Sequence, residues 1–170
     1  MLAVFDCRFV AEAANVVYVG GVGTGKTRLS IAFGDGVLSA RLPGALRDRG
    51  RVGHVPRRSA AAGPARPQAP QLARFDVVIL DELGYVPLDK VGADLLFGFI
   101  SQRYERRSLV VTTNLPFARW SEVFLDPTAA AAVIDRIVHH ATVLQTSGSS
   151  FRLAAAKRNQ APPADEEGTR

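Results

Sequence analysis

One cysteine, one methionine and one tryptophan occur among 170 residues, and arginine outnumbers lysine 18 to 3. A lone Cys7 excludes an intrachain disulfide and a cysteine-rich zinc site. No apolar run approaches the ~20 residues of a membrane-spanning helix. The opening Met-Leu-Ala-Val-Phe-Asp-Cys-Arg lacks the basic flank and long apolar stretch of a secretory signal. These absences point to a reducing, cytoplasmic setting with no membrane association. The balance of 47% hydrophobic and 22% charged residues is ordinary for a globular chain, long enough for one domain that buries roughly 70% of its unfolded surface.

A formal charge of +5 suggests a nucleic-acid partner until its distribution is examined. Eight arginines between Arg41 and Arg74 face one acid, Asp48, so that stretch carries +7 and the remainder −2. From Arg41 to Pro70 the chain holds seven Arg, six Ala, five Pro and four Gly, with no Phe, Tyr, Trp, Ile or Met. Prolines interrupt any helix there and no stretch alternates apolar with polar, so residues 35–74 are expected to be a disordered Arg/Pro/Ala-rich insertion in a core spanning 1–156. Residues 157–170, with an acidic run and two prolines, read as a frayed tail. No internal repeat is found.

The ordered parts spell a site. Asn15-Val16-Val17-Tyr18-Val19 is a β-rich run that stops at Gly20-Gly21-Val22-Gly23-Thr24-Gly25-Lys26-Thr27, and Leu29, Ile31, Ala32 and Phe33 then announce a helix. Strand, glycine loop and helix with the spacing G-x-x-x-x-G-K-[ST] form a phosphate cradle. The glycines let consecutive N–H groups point inward, the helix adds its positive end, Lys26 offers a point charge to the outer phosphates, and Thr27 offers a hydroxyl to Mg²⁺. The alternative is a chance glycine-rich turn.

Asp76-Val77-Val78-Ile79-Leu80-Asp81-Glu82 reads as a strand buried on both faces that ends in two acids. In P-loop nucleotidases an aspartate there serves the metal and a following glutamate can polarise the attacking water, so Asp81 is the metal-side carboxylate and Glu82 the base. An acidic pair that merely opens a turn before Gly84 is the plain alternative. Leu88 to Arg107 follows as an amphipathic helix, with Val91, Leu95, Leu96, Phe99, Ile100 and Tyr104 inward and Lys90, Asp94, Gln102, Arg103 and Arg106 on other faces. Gly92 and Gly98 within it imply close packing.

Ser108 to Asn114 is another buried strand with a polar end, and Asn114 either senses the terminal phosphate and positions water or simply caps the strand before Pro116. A helix from Pro127 then leads into a strand at Ala141–Gln145, and Ser149–Leu153 is a candidate hairpin partner. His139 and His140 are adjacent; on a helix they diverge by about 100° and do not share a metal, so both read as structural. The fold class is α/β: a P-loop nucleotidase.

With these residues in place the chain resembles IstB, the family of ATPases that assist the transposase of certain bacterial insertion sequences, whose nearest relative is the helicase loader DnaC. The likeness is carried by Gly20 to Thr27, Asp81-Glu82-Leu83-Gly84-Tyr85-Val86-Pro87-Leu88, Arg103-Tyr104-Glu105-Arg106, Thr112-Thr113-Asn114-Leu115-Pro116-Phe117, Trp120, Glu122-Val123-Phe124, Asp135-Arg136 and His139-His140. It implies an AAA+ parallel sheet with helices on both faces, ATP with Mg²⁺, self-assembly into a ring or spiral, and delivery of a transposase to DNA with little sequence preference. Arg136 then corresponds to the arginine that reaches into a neighbour's nucleotide; a surface arginine on a helix is the alternative. A catalytically inactive nucleotide-binding remnant and a helicase loader of the DnaC kind are the competing functions, and residues 41–70 as a DNA-binding arm a further one.

Two departures from the family pattern stand out. The Arg41–Pro70 segment occupies the length where a second strand and its helices belong, so that edge strand is expected to be lost, and the family's N-terminal extension is expected to be missing as well. An Arg-, Ala-, Pro- and Gly-rich stretch is what a GC-rich gene yields out of frame, and a frameshifted, truncated copy is the resulting expectation.

Overall fold

Valine-rich runs with no room for polar residues set the architecture. In the computed structural model, which describes residues 7–39, 52–55, 69–85, 87–124, 126–148 and 150, they form β1 (Asn15–Gly20), β3 (Val77–Leu83) and β4 (Ser108–Thr113). Every residue of β4 and all but one of β3 are buried, which is the pattern of strands covered on both faces. With β2 (Val52–Val55) and β5 (Ala141–Thr146) they make one five-stranded sheet in the order β2-β3-β4-β1-β5. All four pairings are parallel, with Val16 opposite Val110, Val77 opposite Ser108, and Asn15 opposite Ala141.

Helices cover both faces. One face carries α1 (Arg8–Ala11) and α2 (Lys26–Ser39), where Phe9, Phe33 and Val37 pack on Val16, Tyr18, Val77, Ile79 and Val110. The opposite face carries α4 (Lys90–Arg103), α5 (Ser121–Phe124) and α6 (Pro127–Val138), which enclose Val17, Val78, Leu80, Leu109 and Val111. A short α3 (Ala69–Leu72) precedes β3, and a 3₁₀ turn at Phe117–Arg119 precedes α5. Trp120 is fully buried, its indole N–H donating to Leu115 O at 3.3 Å. Helix starts follow their caps: Asp89 accepts from Gly92 N–H at 2.7 Å, and Asp126 accepts from Thr128 N–H at 2.9 Å ahead of Pro127.

The expected loss of the edge strand is corrected. Val52-Gly53-His54-Val55 pairs in parallel with Val77 to Leu80, and Val52 packs against the α2-side core. A second strand between the phosphate loop and Val77 is therefore present at the sheet edge. Disorder over 35–74 is likewise corrected at 35–39, the last turn and a half of α2, at 52–55, and at 69–74; residues 40–51 and 56–68 lie outside the described residues, as do 151–170 with the frayed tail and most of the hairpin segment.

Helix α4 also differs in detail. Its inward face is Gly92, Ala93, Leu96, Phe99, Ile100 and Arg103, while Val91 is 65% exposed. Gly98 has nothing within 4 Å of where a Cβ would stand, so close packing does not explain it.

Arg103, expected on the polar face, is 2% exposed. Its guanidinium donates to the carbonyl oxygens of Leu72, Phe75, Asp76 and Ser108 at 2.8–3.3 Å, joining the loop before β3 to the start of β4. Burial, with Arg107 nearby, lowers its pKa to about 10, which leaves it cationic at neutral pH.

Candidate functional site

The carboxyl ends of parallel strands collect ligands in open α/β sheets, because helix N-termini and loops converge there. Here β1 ends at Gly20, the loop follows, and α2 begins at Lys26. Gly23 has φ +82, a left-handed conformation unfavourable to other residues, and a Cβ on it would fall inside the Ser150 side chain. A Cβ on Gly20 would collide with Thr146. The loop is therefore closed down by the end of β5. Thr24 and Thr146 share a hydrogen bond between hydroxyls at 2.9 Å, and Thr24 also donates to Gly21 O at 2.9 Å.

Lys26 is 7% exposed and folds back across the loop, its Nζ donating to Gly20 O at 2.7 Å and Gly21 O at 2.6 Å. Thr27 donates to Asp81 Oδ1 at 3.1 Å, a contact between residues 54 apart in sequence. Asp81 is buried and accepts on the same oxygen from Thr112 Oγ1 at 2.7 Å. Thr112 in turn accepts from the Glu82 backbone N–H at 2.7 Å. One β4 hydroxyl thus positions both acids.

The pairing of β3 with β4 is irregular between Leu80 and Leu83, and Glu82 within that irregularity has φ +55. A non-glycine residue in the left-handed region costs free energy on the order of 1 kcal/mol or more. Asn114 follows at the end of β4, its Oδ1 buried without a hydrogen-bond partner among the described residues. A buried acceptor of this kind is satisfied by a water or a ligand.

The structure therefore gathers Gly20 to Thr27 and Asp81 directly, with Glu82 and Asn114 at the ends of the adjoining strands. It does not bring Arg136 to them. That side chain donates to Ala132 O at 2.9 Å and lies over the Phe97 ring, 4.9 Å from its centroid. Sequence reasoning missed Thr112, Thr146 and Ser150; the polar ends of β4 and β5 were the available signal. The hydroxyl of Thr27 and the carboxylate of Asp81 are hard oxygen donors of the type magnesium takes, and their mutual contact puts both on one position.

A phosphate loop on β1 of a β2-β3-β4-β1-β5 parallel sheet, with the acid-ended β3 two places away across β4, defines a P-loop nucleotidase fold of the AAA+ type. The chain belongs to the family of IstB-like ATP binding proteins, whose family model matches residues 2–160.

Among curated proteins it is 34% identical over 153 residues to a Bacillus thuringiensis subsp. berliner protein described as an ATP-binding protein of insertion sequence IS232, covering 90% of this chain and 61% of that one. It is also 34% identical over 165 residues to the corresponding IS21 protein of Pseudomonas aeruginosa, covering 94% and 62%. The chain spans about three fifths of the length of these relatives. Among solved structures its fold is similar to that of DnaI, with TM-score 0.65, 19% identity and coverage of 88% and 81%. It is similar as well to the DnaC helicase loader, with TM-score 0.59, 22% identity and coverage of 86% and 87%.

Proposed function

We propose that this chain binds MgATP in the Gly20–Thr27 loop, hydrolyses it, and serves as the helper ATPase of an insertion-sequence transposase in the cytoplasm. The observation that carries the nucleotide reading is the chain of contacts from Thr27 through Asp81 to Thr112. It preorganises two metal-side oxygens beside a loop whose glycine conformations suit a phosphate cradle. Magnesium held by Thr27 and Asp81 supplies neutralisation of charge on the phosphate oxygens.

The chain's own groups do the rest. Amides of Gly21 to Gly25 receive phosphate oxygens, and Lys26 exchanges the Gly20 and Gly21 carbonyls for the outer phosphates. Glu82 takes the proton of the attacking water, and Asn114 holds that water or reads the terminal phosphate through its amide. The strained backbone at Glu82 is consistent with a residue placed for chemistry rather than for stability.

Arg136 acts on a neighbour in this reading. It sits one turn before His140, whose carbonyl accepts from Asn15 N–H at the opening end of β1. The six residues of β1 separate that end from the loop by about 20 Å. An arginine so placed serves a second subunit's nucleotide, and such a finger is worth about 10³–10⁵ in rate. Delivery of a transposase to DNA rests on the insertion-sequence relatives; helicase loading draws on fold likeness alone.

Glu82→Gln tests the reading: nucleotide affinity is retained and turnover stops. Turnover per subunit rises with protein concentration, and Arg136→Ala removes that rise. Equal turnover in wild type and Glu82→Gln contradicts the assignment.

A further inference from the structure

The histidine pair left over from the sequence motifs lies where a metal ion can be held. Helix α6 ends at Val138; His139 is its C-cap, with helical backbone and an N–H that donates to Asp135 O at 2.9 Å, and His140 lies in the turn into β5. The two side chains nevertheless converge: their rings stack with centroids 4.2 Å apart. Glu105, in the turn after α4, faces them. His140 Nε2 is 3.6 Å from Glu105 Oε1, and one ligand atom from each of the three residues lies within 4.8 Å of the others.

We infer that Glu105, His139 and His140 form a binding site for a divalent transition-metal ion of the zinc type. Ligand atoms of a tetrahedral zinc, bonded at about 2.0–2.1 Å, stand roughly 3.3 Å apart. The His140–Glu105 separation already approaches that spacing, and the largest gap closes with a shift of roughly 1.5 Å at an exposed side-chain tip. Two imidazoles and one carboxylate select zinc, cobalt or nickel over the magnesium of the phosphate site, which prefers oxygen alone.

His139 is held in place by its neighbour. Its Nδ1 shares a hydrogen bond with the Tyr104 hydroxyl, and the two rings stack at 5.9 Å. Support of this kind orients a metal-binding imidazole. Glu105 has φ +57, a left-handed turn that lets the chain reverse after Tyr104 with the carboxylate on the histidine side. The nearby Arg107 is engaged by Asp76. No other histidine, cysteine and carboxylate group of this kind occurs among the described residues. Three protein ligands on an exposed surface leave coordination positions for water, and the ion ties the turn after α4 to the turn that follows Arg136.

Cobalt is the probe, titrated into the untagged, nucleotide-free chain with excess magnesium. The sequence has three histidines, and the third, His54, is on β2, so the site is separable. One equivalent of Co²⁺ binds with visible d–d absorption of low coordination number. His139→Ala, His140→Ala and Glu105→Gln each weaken binding about tenfold or more, and His54→Ala does not. Thermal midpoints in chelator that match wild type establish that the variants fold; where one does not, the visible spectrum of the remaining two decides. Absence of the bands in wild type, their persistence in the His139→Ala/His140→Ala double variant, or their loss in His54→Ala overturns the site.

Discussion

The Thr27 hydroxyl donates to Asp81 Oδ1 across 3.1 Å, joining the start of α2 to the end of β3 although β4 lies between β3 and the strand that feeds the loop. The oxygen is shared with Thr112 of β4, so the geometry needs all three elements in register. Thr112→Val keeps the shape of the side chain but removes a donor to a carboxylate and an acceptor for the Glu82 N–H. A hydrogen bond to a charged group contributes about 1.5–3 kcal/mol. Magnesium-dependent affinity for a fluorescent ATP analogue, followed by titration, is expected to fall about tenfold.

Arg103 makes a separate, purely structural prediction. Four carbonyl oxygens converge on its guanidinium; those of Leu72 and Asp76 also accept from the Phe75 and Ser108 N–H groups, so cutting the side chain back removes four charge-assisted bonds from a buried site. Arg103→Ala is expected to cost about 3 kcal/mol in urea unfolding. Arg103→Lys recovers only part of this, because a point ammonium cannot span the fork that reaches both Leu72 and Ser108.

Gly98 works in the opposite direction. It sits inside α4 with open space where a methyl group would go. Gly98→Ala should raise stability by about 0.5–1 kcal/mol, read as an increase of about 2–3 °C in the thermal midpoint with nucleotide affinity unchanged.

The contrast between these residues shows how far local pattern reaches. The loop from Gly20 to Thr27, the valine runs of β1 and β3, and the acids closing β3 are contiguous, so their period and spacing are visible in the sequence. Val52-Gly53-His54-Val55 is not. Four residues with a glycine and a histidine inside an arginine-rich stretch carry no strand signal, and only pairing with Val77 to Leu80, far along the chain, makes them one. Arg103 follows the helical period onto the buried face, yet its charge argued for the surface until four carbonyl partners came from other segments. The stacking of His139 on His140 depends on how the chain leaves α6, which periodicity does not fix.

The measurement that bears most directly on the account is the affinity of the chain and of its Lys26→Ala variant for a fluorescent ATP analogue with and without magnesium. Lys26 spans the loop onto Gly20 and Gly21, and its ammonium is the one charge the cradle offers from within its own motif. Saturable, magnesium-dependent binding in the wild type that disappears in the variant, with the thermal midpoint preserved, is the predicted result. Equal affinity in the two proteins contradicts a phosphate site in this loop.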